Sequence, residues 1–312
     1  MSIPKKYLDR ILVLKKQFDF LAEENFVRAQ SGTRFFVLLS ENYVLRFRDD
    51  DPSLLVREAE LLGKLENPLI PEVVWSGKVL EEAVMIERRL PGEPLDTLWS
   101  KLSLKEKDRV VEDIYQFLLW LKTQGSNKVS SVNTGLIYSD FYSFLIENLE
   151  TKIKDISVYP ESHDMVVAIR EILTDKSSLK KNFTTESILV HGDLIIHNLL
   201  FHEGKLSGVL DWEFSLYGDT DYDISRIYYY HECAKAYWET GEDETYEADF
   251  TQMLISKINE GLSDTAIFEF DKKYKVMRAF FYLNALFWAS HSLDPVKNIE
   301  ELSNKWFSSP AK

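Results

Sequence analysis

The sequence predicts an α+β fold of two lobes, a small β-sheet lobe followed by a large, mostly helical one. Three observations carry this. β-rich runs with turn signals cluster before Pro91-Gly92. Strong helical periods dominate after it. A compact group of short apolar runs, SILV, NLLF and LSGVL, interrupts the helices between residues 187 and 210.

Taken in order, RFFVLL and YVLRFR are two strands joined by Ser40-Glu41-Asn42, a hairpin turn. DDDPSLLVREAELLGKL follows. Its acidic start and the spacing of Leu54, Glu58, Leu61, Leu62 and Leu65 predict a capped amphipathic helix. Asn67-Pro68 and Pro71 break it, and VVWSGKVL and EAVMIERRL read as two further strands. The boundary falls near residues 88–95, giving an N-terminal lobe over 1–90 and a C-terminal lobe over 91–312. In the second lobe the period predicts helices over 103–123, 140–154 and 163–173. The island 187–210 is expected to form one compact β unit, with His202-Glu203-Gly204-Lys205 turning its last two strands. From Asp223 onward the pattern is helical again. Residues 279–289, AFFYLNALFWA, are too short to span a bilayer, which takes about 20 residues, and predict a buried core helix.

Composition narrows the function classes. Hydrophobic residues are 45% and charged residues 28% of the 312-residue chain, ordinary for a globular protein. The formal net charge of −14 argues against nucleic-acid binding through a general basic surface. A single cysteine, Cys233, permits no intramolecular disulfide and suits the reducing cytoplasm. The N-terminus lacks a long apolar core and a small-residue cleavage site, so no signal peptide is expected; no membrane association is expected, and no obligate protein partner is evident.

The chemistry concentrates in VHGDLIIHNLLF and GVLDWEF. Asp193 and Asn198 stand on the loop entering NLLF, and Asp211 ends the partner strand. A hairpin brings its two outer ends together, so the three side chains can converge. Phosphoryl transfer from a nucleotide needs such a trio. Hard oxygen ligands, here Asn198 and Asp211, hold Mg²⁺ against the phosphates, and a separate carboxylate, here Asp193, takes the hydroxyl proton or orients the hydroxyl. Any one of these residues alone reads as a turn or cap; the joint pattern H-G-D-L-x-x-x-N, strand, turn, strand, D-W-E is specific.

On these motifs the chain resembles the aminoglycoside phosphotransferase family, the small-molecule branch of the protein-kinase-like superfamily. VHGDLIIHNLLF resembles the catalytic loop, and GVLDWEFSLYGDTDYDI the metal-Asp segment with the structural Asp223. YVLRF with VREAELLGKL resembles the third strand and the helix bearing the ion-pair Glu58, and MIERRLPGEPL the hinge. The resemblance implies a bilobal protein-kinase-like fold, ATP or GTP in the cleft, and transfer of the γ-phosphate to a hydroxyl of a small molecule. It also implies that the first lobe binds the nucleotide, with backbone groups of Arg88 and Leu90 meeting the base. The chain lacks G-x-G-x-x-G-x-V, D-F-G and A-P-E, and has Gly192 where protein kinases carry Arg.

Three departures from the family pattern matter. Arg46 stands where Lys is usual; a guanidinium also binds phosphate bidentately. The phosphate loop AQSGTRFF has one glycine, so Ser31 and Gly32 are its candidates. The helix after Asp223 offers Glu232 early and Glu239, Glu242, Asp243 and Glu244 later, with Tyr228, Tyr229 and Tyr230 between. Glu232 and Tyr229 are the substrate-binding candidates; the later acids also fit a solvated helix end. His191 is expected to support its loop rather than titrate. The acceptor expected is an aminoglycoside or another amine-bearing compound. Macrolide, choline and amino-sugar kinases stand as alternatives, as does an inactive kinase-like module that binds nucleotide or ligand.

Overall fold

The computed structural model describes residues 2–29, 36–48, 51–174, 176–183, 186–233, 245–261 and 264–308. The first lobe contains helix α1 (Lys5–Gln17), strands β1 (Val27–Arg28), β2 (Phe36–Leu39) and β3 (Tyr43–Arg48), helix α2 (Pro52–Leu62), and strands β4 (Val73–Val79) and β5 (Glu82–Arg88). The five strands form an antiparallel sheet in the order β1-β2-β3-β5-β4. The β2–β3 turn closes where the sequence predicts it: the Ser40 amide donates to the Tyr43 carbonyl at 2.9 Å. α2 begins on the Asp51 side chain, which accepts the Leu54 amide, with Pro52 opening the first turn. Its buried stripe of Leu54, Leu55, Glu58, Ala59, Leu61 and Leu62 sets a glutamate among leucines and faces it inward.

The second lobe starts with β6 (Glu93–Pro94), α3 (Leu95–Leu98) and α4 (Leu104–Lys122). A capping box between Ser103 and Glu106 starts α4. Strands β7 (Gly125–Ser126), β8 (Val129–Ser131) and β9 (Ile137–Tyr138) follow, then α5 (Phe141–Ile156), α6 (His163–Ile172) and α7 (Lys176–Asn182). Next come β10 (Ser187–Val190), β11 (Leu199–His202), β12 (Lys205–Val209) and β13 (Leu216–Gly218), and finally α8 (Tyr222–Cys233), α9 (Thr245–Glu260), α10 (Asp264–Ala289) and α11 (Pro295–Ser308).

The single β unit expected over 187–210 is two sheets. β11 and β12 form the hairpin and extend onto β6, whereas SILV, as β10, joins β7-β10-β13-β8-β9. Strands of two or three residues show no periodicity of their own, which is why the sequence does not reveal β10's partners. Residues 279–289 lie inside α10, where Ala279, Phe281, Tyr282, Leu283, Ala285 and Leu286 are buried. Among the described residues no helix is long and apolar enough to cross a membrane. One hydrophobic cluster spans both lobes, joining Leu55, Leu61 and Met85 to Trp99, Ile114, Leu199 and Trp212. This shared core includes residues of both α2 and the β11–β12 hairpin.

Candidate active site

The hairpin register sets the site. Leu199 pairs with Val209, and beyond that pair the Leu210 amide donates to the Asn198 carbonyl at 2.8 Å. Asn198 and Asp211 therefore flank the open end of one ladder. Asn198 Nδ2 donates to the Asp193 backbone carbonyl at 2.9 Å and to Asp193 Oδ2 at 3.2 Å. With both bonds made by its amino group, its Oδ1 remains an acceptor.

The loop carrying Asp193 is held by two buried residues. Asp223, at the start of α8, accepts the amides of His191 and Gly192, each at 2.8 Å. Burial pushes Asp223 up to about 6, and these two bonds oppose that. His191 is fully enclosed, edge-on to Trp212. Burial lowers its imidazole to about 4, so the ring is neutral. Its Nε2 faces the Leu210 carbonyl at 3.0 Å, so Nε2 carries the hydrogen and Nδ1 accepts the Asp193 amide at 3.2 Å. Gly192 has φ +85°, and a Cβ there would be driven into the Phe214 carbonyl; only glycine fits this turn.

Asp211 sits at φ +64°, an uncommon backbone for a residue with a Cβ, of the kind that collects at functional sites. Its side chain is 38% exposed, yet Oδ1 is buried without a hydrogen-bond partner. Burial, and then the charges of Glu213, Glu58 and Asp193, push the carboxyl up to about 7 against the pull of Arg46. A carboxylate in that condition would be relieved by a cation. Among the described residues no group of three or more His, Cys, Asp or Glu side chains is placed to hold a metal by itself.

Above this hairpin lies the arginine of β3. Arg46 forms a fork with Glu58, Nη1 to Oε1 at 2.6 Å and Nη2 to Oε2 at 3.0 Å. Glu58 is 0% exposed, and its Oε1 also accepts the Trp212 amide at 3.2 Å, tying α2 to the Asp211 segment. Arg46 lies 3.6 Å from Glu87 and 3.8 Å from Asp211 Oδ1. Burial would lower its basicity, but the three carboxylates raise it beyond the usual guanidinium range. Burial pushes Glu87 up to about 7. A second buried pair, Arg48 Nη1 to Glu213 Oε2 at 2.9 Å, again links β3 to the Asp211 segment.

At the hinge, the Arg88 amide is used by the Glu72 carbonyl at 2.9 Å and its side chain by the Glu72 carboxylate at 2.8 Å. Arg88 thus offers no amide to a base. Leu90 lies beside Gly208 of the hairpin. Ser31 and Gly32 lie outside the described residues, as do Glu239, Glu242, Asp243 and Glu244.

Two substrate candidates are corrected. Tyr229 is 0% exposed and packs on Phe281 and Tyr282 of α10, in the core rather than in a cleft. Glu232 is bound by Arg278 Nε at 2.7 Å and the Tyr274 hydroxyl at 2.5 Å, so its charge is spent on packing α8 against α10. Besides Asp223, the side chains of α8 that reach the loop are Arg226 and Tyr230, both bonded to Asp193 Oδ1. Sequence reasoning missed them, although helical spacing of three and seven residues from Asp223 marks the same face. It also missed Glu87, Glu213 and the partners of His197, which is bonded to Asp96 and Glu247.

A β lobe with an arginine–glutamate pair, placed over a hairpin that gathers Asp193, Asn198 and Asp211, defines a kinase-like fold. The family model of the phosphotransferase enzyme family (APH) matches residues 25–260, and the chain belongs to that family. Comparison with curated protein sequences finds no match. The fold is similar to ADP-bound aminoglycoside phosphotransferase APH(2'')-Ib, at TM-score 0.64 and 20% identity over 95% of this chain and 97% of that one. It is similar to APH(2'')-IIa in complex with gentamicin, at TM-score 0.68 and 20% identity over 100% and 98%. It is also similar to a thermostable APH(4)-Ia mutant with ADP and hygromycin B, at TM-score 0.64 and 16% identity over 94% and 98%.

Proposed function

We propose that this enzyme transfers the γ-phosphate of ATP or GTP, with Mg²⁺, to a hydroxyl of a small amine-bearing molecule of the aminoglycoside kind. The observation that carries the reading is the Asp193–Asn198 bond beside the hairpin end that leads to Asp211, whose Oδ1 has no hydrogen-bond partner and lies 3.8 Å from the arginine of the Arg46–Glu58 fork. The lobe over 1–90 takes the nucleotide in this reading, with Leu90 at the base. The similar structures hold ADP, gentamicin and hygromycin B, which supports a nucleotide donor and suggests the acceptor class.

Asn198 and Asp211 would hold Mg²⁺. When bound, the ion would supply positive charge that offsets the charge developing on the phosphates in transfer. Arg46, oriented by Glu58, places a fixed guanidinium where a phosphate can share it. Asp193 orients the acceptor hydroxyl and takes its proton as the new bond forms. The apolar cluster around Trp212 and Leu199 keeps the carboxylates in a weakly screening setting, where such charges act strongly.

The test is nucleotide consumption by the purified protein with Mg²⁺, ATP and GTP in parallel, against aminoglycosides, macrolides, choline and amino sugars. Acceptor-dependent turnover that disappears in Asp193→Asn is expected. Asp211→Asn should weaken Mg²⁺-dependent nucleotide binding, read as a smaller thermal shift. A protein that binds Mg·nucleotide but never turns over is an inactive binding module, and the transfer reading then fails.

A further inference from the structure

The face of α8 toward the catalytic loop presents a cation and a phenol to the same carboxylate oxygen. Arg226 Nη2 donates to Asp193 Oδ1 at 3.0 Å, and the Tyr230 hydroxyl donates to that oxygen at 3.2 Å. Arg226 Nη2 also donates to the Tyr230 oxygen at 3.1 Å, so the three groups close a triangle. The guanidinium is held from the sides by rings: its carbon lies 4.6 Å from the centroid of Tyr230, 5.1 Å from Phe281 and 5.4 Å from Tyr229. Both partners are largely enclosed, so the pair is not a solvated surface contact.

A carboxylate oxygen has two lone pairs in its plane. Those of Asp193 Oδ1 are met by Arg226 and Tyr230. Oδ2 receives only Asn198 Nδ2 among the described residues, and so keeps one acceptor direction. We propose that Arg226 and Tyr230 are positioning residues that saturate Asp193 Oδ1 and commit Oδ2 to the acceptor hydroxyl. This rests on the phosphotransfer reading above and adds to it the atom that receives the proton. In the step, the acceptor oxygen bonds to the γ-phosphorus. The bond from that phosphorus to the β,γ-bridging oxygen breaks, and its electron pair leaves on the nucleoside diphosphate. The hydroxyl proton passes to Asp193 Oδ2. Oδ2 is also the oxygen next to Asn198, so the hydroxyl is led to the side where the metal-holding residues stand. Arg226 belongs to α8 and not to the nucleotide side, so its effect falls on orientation and spares donor binding.

The test uses the full chain and four variants: Arg226→Met, Arg226→Lys, Tyr230→Phe and Asp193→Ala. Turnover is read as ADP release from Mg·ATP, with water as acceptor and with each member of the acceptor panel. Arg226→Met is expected to lower kcat about 100-fold, the effect of a small misplacement of a reacting group. KM for ATP should stay within about twofold of wild type, Arg226→Lys should recover part of the loss, and Tyr230→Phe should cost about tenfold. In thermal unfolding, Arg226→Met should cost less when Asp193→Ala is already present, because the two act as one unit. Wild-type kcat in Arg226→Met overturns the proposal. So do additive thermal shifts, and so does a parallel fall of kcat, ATP affinity and stability, which marks a structural part only. A wild-type protein that releases no ADP with any acceptor refutes the phosphotransfer reading itself, whereas indifferent variants of an active wild type refute this inference alone.

Discussion

His197 gives the sharpest stability prediction. It precedes Asn198 in the Asp193 loop, and both of its ring nitrogens face carboxylates: Nδ1 to Asp96 Oδ2 of α3 at 2.8 Å, Nε2 to Glu247 Oε1 of α9 at 2.7 Å. Two acceptors demand two N–H donors, which only the imidazolium has. Burial lowers its proton affinity, but the bonds to Asp96 and Glu247 outweigh that and raise the group to about 9, against 6.5 for a free imidazole. At about 1.4 kcal/mol per tenfold change in proton affinity, this is at most about 3.5 kcal/mol of stability. The side chain is 28% exposed, so solvent screening brings the expectation to about 1–3 kcal/mol. The folded value is the higher one, so the stabilisation is complete below about 6.5 and disappears as pH rises through about 9. Urea unfolding of wild type and His197→Asn at pH 6 and at pH 10 reads it directly. The gap between the two proteins should be largest at pH 6 and shrink by about 1–3 kcal/mol at pH 10. A gap that stays constant with pH, or an NMR titration of His197 with a midpoint below 7 in the folded protein, refutes the reasoning.

Three further outcomes follow from the same geometry. Arg46→Met should destabilise the fold by about 3–5 kcal/mol in urea unfolding, because Glu58, Glu87 and Asp211 are left without their cation. Arg46→Lys should keep the fold but raise KM for nucleotide, since one ammonium cannot reproduce the fork to Glu58. Gly192→Ala should lower stability by more than about 2 kcal/mol and shift the thermal midpoint accordingly, because a left-handed backbone and the Phe214 carbonyl both reject the methyl group. Glu232→Gln should cost about 3 kcal/mol of stability by removing the carboxylate that faces the buried Arg278, with KM for any acceptor unchanged; a selective rise in acceptor KM would restore Glu232 to the substrate site.

The proximity of the Asp193 loop to the Asp211 segment was legible because the residues of each are contiguous and their spacing carries the geometry. Asp193 to Asn198 fits one turn, and the hairpin brings Asp211 back to it. Helix α4 was legible from its period, and α2 from Asp51, Pro52 and its leucines. The short strands β6 to β9 were not, since two or three residues hold no pattern. Nor were the partners of His197, which lie 101 and 50 residues away in sequence. The error on α8 is more instructive. Three successive tyrosines read as one aromatic surface, but a helix turns about 100° per residue. Tyr230 therefore reaches Asp193 while Tyr229 enters the core. Counting from Asp223, the fixed residue of the helix, would have separated them.

The arginines explain why a site so rich in carboxylates stands assembled. Arg46 joins β3 to α2, Arg48 joins β3 to the segment after Asp211, and Arg226 joins α8 to the catalytic loop. Arg57 of α2 reaches the carbonyls of Val132 and Asn133 in the second lobe, at 2.6 and 2.8 Å. Arg48, Arg57 and Arg226 cross between elements distant in sequence, so each ties the position of one carboxylate or helix to another part of the fold. Around Arg46 the balance is deliberately incomplete in charge: one guanidinium faces Glu58, Glu87 and Asp211. A bare polyphosphate brought to that group would add to the excess negative charge, whereas one that arrives with a divalent cation would offset it. On the proposed reading, the departure from lysine to arginine at position 46 suits this arrangement, because the fork holds Glu58 with two nitrogens and still presents a delocalised charge to the others.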